Sequence, residues 1–253
     1  MLAAYRRHVE ERSAKSIPPL PLNAAQTRDL CALLEQPPAG EDAGALVALL
    51  RDRVPPGVDE AAQVKVEFLA AVVAGKRRSP LITPAEAVRL LGAMPGGFNV
   101  PVLAGLLDGP HAAAAADALA RLVLIGDTCD AVKALADRGV TAAKSLLERW
   151  AAREWLTARP ALPESLALTV YRVPGETNTD DLSPAGHAST RPDIPLHALA
   201  MYERRDPACV PFLAAWRAAG ERVLVAGDVY GTGSSRKSAT NSLLWWIGDD
   251  IPG

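Results

Sequence analysis

The hydrophobic period first leaves the helical spacing across Arg159-Pro160-Ala161-Leu162-Pro163, and that change constrains the fold more than any other feature. Before it, apolar residues recur at three- and four-residue intervals, the spacing of one helix face. After it, apolar and polar residues begin to alternate, the spacing of a strand. Two prolines so close together end a helix and mark a connection. The chain is therefore read as an α-helical domain over 1–159, a linker over 160–166 and an α/β domain over 167–253.

Local signals divide the first part into short helices. Asn23 caps a helix carrying Leu30, Leu33 and Leu34, and a second runs from Asp42 to Val54, where Pro55-Pro56-Gly57 stops it. Asp59 caps a longer helix with Val64, Phe68, Leu69 and Val72 on one side, closed by Gly75. Thr83-Pro84-Ala85-Glu86 has the pattern of a capping box with proline at the first helical position, ahead of Ala87, Leu90 and Leu91. Further helices are predicted near 100–108, 112–125, 128–138 and 141–157, with Gly139 and Thr141 as stop and start. Helix pairs recurring at roughly 40 residues suggest a HEAT-like array. No repeated signature separates that array from an irregular bundle.

In the second part, Leu166 to Val173 alternates as a strand. A polar loop, Gly175 to Arg191, follows, longer than most connections inside a domain and so a candidate for function. Helices are predicted near 195–203 and 207–219. A buried strand, Arg222 to Ala226, then enters the glycine-rich stretch Gly227 to Arg236, and a helix runs from about Ser235 to Ile247. The chain stops soon after that helix with no closing strand, so the α/β domain is read as incomplete.

With 22% charged residues and a formal net charge of -2, the chain has no general attraction for nucleic acid or anionic membrane. The charged start MLAAYRRHVEERSAK is no signal peptide, and no apolar run reaches the ~18 residues of a transmembrane helix. Cys31, Cys129 and Cys209 are widely separated and odd in number, which argues against a disulfide framework and for a reducing cytoplasm. His8, His111, His187 and His197 likewise lack metal-ligand spacing.

The chemistry concentrates on the strand, glycine-rich turn and helix around Gly231-Thr232-Gly233-Ser234-Ser235-Arg236. Glycines allow the backbone to approach a ligand closely, and a helix start presents unpaired N–H groups with a favourable dipole for an anion. Two serine hydroxyls and the planar fork of Arg236 complete a small-anion cradle. The segment is neither G-x-G-x-x-G nor a phosphate-binding G-K-[ST] loop. Taken alone, it could equally be a packing turn.

Three segments in order carry a resemblance. Gly231 to Arg236 resembles the G-x-G-S-S-R segment of the aconitase superfamily swivel domain. Gly175-Glu176-Thr177-Asn178-Thr179-Asp180-Asp181-Leu182-Ser183-Pro184-Ala185 resembles its T-T-D-H-I-S-P-A segment, with Asp181 in place of the histidine. Arg191 to Ala200 resembles the stretch that follows in type-B aconitases, and the helical part, with Pro55-Pro56-Gly57-Val58-Asp59-Glu60-Ala61 and Trp155, resembles their N-terminal domain. The resemblance covers essentially the whole chain.

It implies a HEAT-like helical domain followed by a truncated swivel domain. It also implies a hydro-lyase interconverting citrate and isocitrate through cis-aconitate, with hydration of 2-methyl-cis-aconitate as a second activity. On this sequence Ser234 would be the catalytic base, and Asp180 would orient it or relay protons. Arg191, Ser234, Ser235 and Arg236 would bind the tricarboxylate. The [4Fe–4S] cluster of the family would be held by cysteines of C-terminal domains that this chain lacks, so no metal ligand is assigned here and the chain alone is expected to be inactive. Dimerisation through the helical domain and RNA binding are further implied partners. Two other readings stay open at this level: a swivel subunit of a two-chain hydro-lyase, and a non-catalytic helical scaffold. For Asp180 a turn cap, and for Arg191 a solvated loop position, are the plainer roles.

Overall fold

A computed structural model describes residues 1–15, 17–157, 164–191 and 193–248. The chain divides into two compact units, Pro21–Ala161 and a second made of Leu2–Leu20 with Leu162–Gly253. Most of the predicted linker, including both prolines, lies outside the described residues.

After α1 (Leu2–Ser13), which groups with the second unit, the first unit is helical throughout: α2 (Ala24–Glu35), α3 (Ala43–Asp52), α4 (Glu60–Val73), α5 (Pro84–Gly92), α6 (Asn99–Gly105), α7 (Ala112–Arg121), α8 (Thr128–Asp137), α9 (Thr141–Ala151) and α10 (Glu154–Thr157). Polar caps set the starts. Asn23 and Gln26 form a reciprocal capping box, while Asp42 and Asp59 each accept an N–H from the first turn that follows. Thr83 makes only half of the predicted box: its hydroxyl accepts the Glu86 N–H, but the Glu86 carboxylate turns to a bidentate pair with Arg89. The helix predicted over 141–157 is two, because the chain turns at Arg153 with φ 56.

Neighbouring helices pack α2 on α4, α4 on α5, α5 on α7 and α7 on α9, around buried Leu30, Leu34, Leu50, Phe68, Leu90 and Leu119. On α4 the buried stripe is shifted from the predicted one: Val66 is buried and Val64 only half-buried, and Lys65 is 5% exposed. The Lys65 ammonium donates to the Arg51 carbonyl at 3.3 Å, and burial lowers its pKa to about 8. Asn99, fully buried, donates to the carbonyls of Leu91 and Met94 at the end of α5, groups a helix terminus otherwise leaves unpaired. The loops between helices also touch one another through parallel bridges, Gly57 with Gly97 and Gly96 with Leu124. At Gly97, with φ +95, an added Cβ would lie 2.4 Å from the Gly57 carbonyl oxygen, so only glycine fits.

Among the described residues, the second unit is built on four short strands: β1 (Thr169–Arg172), β2 (Glu176–Asn178), β3 (Val223–Ala226) and β4 (Val229–Thr232). β1 pairs parallel with β3 from Thr169–Val223 to Arg172–Ala226, and β2 pairs parallel with β4 from Glu176–Val229 to Asn178–Thr232. The two pairs form one ribbon bent at matching points. One residue of register is lost across the bend and recovered by an irregularity between Thr177 and Asn178. Backbone bonds from Val173 to Ala226 and from Asp228 to Gly175 carry the ribbon through the bend, where the Asp228 carboxylate also accepts the Gly175 N–H and pairs with Arg172.

Parallel pairing demands a crossover. It consists of α11 (Thr179–Leu182), a 3-10 turn (Ala185–Thr190), α12 (Ile194–Ala198) and α13 (Cys209–Ala218), and α14 (Lys237–Ile247) follows β4. Val223 and Val225 of β3 face a core with Leu182, Ala198, Met201, Leu213 and Trp246. Tyr202, buried with φ 56, reaches from this core to the Thr177 hydroxyl at 2.9 Å.

Two sequence expectations change here. The polar loop 175–191 is not a loop but β2, α11 and the 3-10 turn. The glycine-rich stretch does not run straight from strand to helix, because Val229–Thr232 pairs as β4 and the helix starts at Lys237 rather than Ser235.

Candidate functional site

The site grows from the end of β2. Asn178 caps α11: its Oδ1 accepts the N–H groups of Asp180 at 2.8 Å and Asp181 at 3.0 Å, and the Asp181 carboxylate returns a bond to the Asn178 N–H at 3.0 Å. Asp181 also pairs with Arg205 at 3.1 Å, and Arg205 in turn donates to the carbonyls of Pro174 and Glu176. The residue that departs from the superfamily's histidine is thus committed to shaping the turn. Its neighbour Asp180 is left to pair outward.

Asp180 meets Arg236, fifty-six positions further on. One guanidinium nitrogen, Nη1, donates to the Asp180 carboxylate, to the Ser183 carbonyl at 2.9 Å and to the Thr179 carbonyl at 3.4 Å. Every hydrogen bond of Arg236 to the described residues leaves from Nη1, so among those residues nothing takes the donors on the edge formed by Nε and Nη2. The bond from Arg236 holds the Asp180 carboxyl below the usual carboxylate range. At neutral pH Asp180 is therefore a carboxylate that orients Arg236.

The glycine-rich turn lies against the same helix start. Gly233, with φ +94, comes so close that an added Cβ would sit 3.0 Å from the Thr179 hydroxyl. Gly231 also has positive φ, +78, but in open space. Ser234 and Ser235 are exposed just before Arg236, which is the N-cap residue of α14 in extended conformation and makes no side-chain cap.

Arg191 is not hydrogen-bonded to this group. It closes the 3-10 turn, donating its backbone N–H to Ala188, and its Nε is buried without a partner among the described residues. What connects it to Arg236 is a set of residues that the sequence reading did not single out. Thr190 Oγ1 is 2.7 Å from His197 Nδ1, His197 Nε2 is 2.9 Å from Ser183 Oγ, and Ser183 Oγ is 2.6 Å from Ser238 Oγ in the first turn of α14. His197 is wholly buried; burial first, then the charges of Arg191 and His187, push its pKa down, so the ring is neutral. A histidine between Leu196 and Ala198 in an apolar stretch signals buried polar partners, but not which ones.

Beside Asp180 is a cavity of about 310 Å³ lined by Asp181, Gly186, Tyr202, Glu203 and Arg204 among others. With three carboxylates to one guanidinium, it does not suit an anionic ligand.

No group of three or more His, Cys, Asp or Glu side chains among the described residues is placed to hold a metal ion. Cys31 and Cys209 are buried, which raises both thiols to about 12, the opposite of what a thiolate ligand needs. Cys129 is exposed. These residues do not fit an iron–sulfur cluster. No helix among the described residues is long and apolar enough to cross a membrane.

Two family models match the chain: the aconitate B N-terminal domain over residues 4–156 and the aconitate hydratase 2 N-terminus over residues 168–253. Among curated proteins, the chain is similar along its whole length to aconitate hydratase B of Pseudomonas aeruginosa, at 53% identity, of Synechocystis sp., at 54%, and of Escherichia coli K12, at 50%. It spans 30%, 29% and 30% of those proteins, respectively.

Proposed function

The chain belongs to the aconitate B family, and from that premise we propose that it supplies the carboxylate anchors and the base of a hydro-lyase acting on tricarboxylates. The observation that carries the proposal is Arg236, fixed through one nitrogen by Asp180 and the end of α11 while the rest of its fork makes no hydrogen bond to the described residues. That edge suits a bidentate carboxylate. Arg191, with a buried Nε that has no partner among the described residues, is the second anchor.

The reaction would be the interconversion of citrate and isocitrate, with 2-methyl-cis-aconitate as a further substrate. Ser234, as alkoxide, removes a proton from the carbon next to a carboxylate. The hydroxyl on the neighbouring carbon departs as hydroxide, which takes up a proton from solvent to become water, and a double bond forms. Water then adds back with the positions exchanged. An ordinary serine is too weakly acidic to be ionised at pH 7, so Arg236 and the N–H groups at the start of α14 must stabilise the alkoxide. The family's [4Fe–4S] cluster would be bound by residues outside this chain. Inter-helix loops that touch in succession support reading the helices of 1–159 as a HEAT-like solenoid ahead of a swivel domain beginning near 167.

Titration of the chain with citrate, followed by calorimetry or NMR, tests the proposal. Binding is expected on the order of millimolar, because an open half-site buries little of its ligand. Ser234→Ala, which removes one hydroxyl and no cationic anchor, should weaken affinity less than Arg236→Lys does. Arg236→Lys should weaken it about tenfold through loss of the planar fork. No binding by the wild-type chain, or equal binding by Arg236→Lys, would overturn the proposal.

A further inference from the structure

We propose that His197 is a positioning residue that holds the two cationic anchors, Arg191 and Arg236, in fixed relation through Thr190 on one side of its ring and Ser183 on the other. The proposal rests on the tricarboxylate reading of those anchors. Its geometric core stands apart from that reading.

Proton accounting gives the network a direction. The Thr190 hydroxyl has one proton, and it is donated to the His187 carbonyl at 2.8 Å. Toward His197, Thr190 can therefore only accept, which places the ring proton on Nδ1. A neutral ring then presents Nε2 as an acceptor, so the Ser183 hydroxyl donates to it. Ser183 Oγ must accept in turn, and Ser238 donates. The sequence of bonds runs from Ser238 through Ser183, His197 and Thr190 to the His187 carbonyl, with no hydroxyl proton left over.

Each end of that sequence is one step from an anchor. Thr190 immediately precedes Arg191 in the chain. Ser183 offers its carbonyl to Arg236 at 2.9 Å, and Ser238 lies two residues beyond Arg236 in α14. His197, Ser183 and Thr190 are almost wholly buried, so water cannot substitute for a lost partner without rearrangement. A ring fixed at both nitrogens sets the spacing of the two segments as a rigid spacer would. A tricarboxylate bridging two guanidinium groups needs that spacing defined before it binds.

The chain labelled with 15N at histidine and arginine provides the test. Without ligand, His197 should show the Nδ1-protonated tautomer, the minor form of free histidine. His197→Gln keeps an acceptor near Ser183 and should disturb the Arg191 side-chain signal. His197→Asn keeps a donor near Thr190 and should disturb that of Arg236. Tricarballylate, a stable tricarboxylate, should bind about tenfold more weakly to either variant. If one variant does not fold, Thr190→Val or Ser183→Ala breaks the same arm. An Nε2-protonated ring, or folded variants with wild-type arginine signals and affinity, overturns the proposal. The tricarboxylate reading fails differently: the wild-type chain would not bind tricarballylate at all, while the tautomer and the ligand-free arginine signals would still decide the role of His197.

Discussion

Gly231 and Gly233 form a matched pair in which backbone strain can be separated from contact. Both have positive φ, +78 and +94, and differ in what an added methyl would meet: nothing within 4 Å at Gly231, the Thr179 hydroxyl at 3.0 Å at Gly233. A left-handed alanine costs about 1–2 kcal/mol. Stiffening the unfolded chain returns about 0.4–1 kcal/mol. Gly231→Ala should therefore lower the stability of the second unit by about 1 kcal/mol. At Gly233 the methyl must also push Thr179 away, an overpacking cost of about 1–2 kcal/mol, for a total near 2–3 kcal/mol. Thr179 lies beside Asp180 and gives its carbonyl to Arg236, so the displacement should also weaken citrate binding. Urea titration monitored at the Trp246 indole N–H, which donates to the Ala198 carbonyl, reports on this unit alone. Equal losses in the two variants would falsify the claim that the turn rests against α11.

At Gly97→Ala, the new Cβ would face the Gly57 carbonyl at 2.4 Å with φ +95, and loss of about 3 kcal/mol or more is expected in the helical unit, read from Trp150 fluorescence in urea. Lys65→Met should stabilise that unit by on the order of 2 kcal/mol at pH 7, since a pKa lowered to about 8 reports a buried charge. The unfolded lysine holds its proton to higher pH than the folded one, so the wild type should close this gap between about pH 8 and 10.5; a pH-independent difference between the two proteins would refute this. His197 gives the opposite end of the pH scale. Its lowered pKa means that the unfolded chain takes up the proton first, so stability of the second unit should fall as pH drops below about 6.5, and His197→Gln should flatten that fall in acid titrations followed by circular dichroism.

Helix starts were legible in the sequence because their causes are local. Asn23, Asp42, Asp59 and Thr83 each accept an N–H within three residues, and such contacts need nothing from the rest of the fold. Helix ends were less so: Arg153 adopts φ 56 without glycine or proline to announce it. β2 and β4 were missed because Glu-Thr-Asn and Val-Tyr-Gly-Thr have no strand period of their own and become strands only by pairing with each other. The same limit applies at the site. The motifs around Asp180 and Arg236 could be read residue by residue, but their ion pair spans fifty-six positions. The partners of His197 could not be named at all, since each lies on a different turn.

The bent parallel ribbon has a consequence in time. Every strand pair in the second unit joins residues 169–178 to residues 223–232, so no part of the ribbon can form until the crossover between them has been made and folded back. Helical hairpins of the first unit close between near neighbours and can form while synthesis continues. At roughly 5–20 residues per second on the ribosome, β1 and β2 wait several seconds for their partners with unpaired edges. Glu176 and Asn178, poor strand formers by composition, keep part of that waiting edge from pairing with the wrong chain.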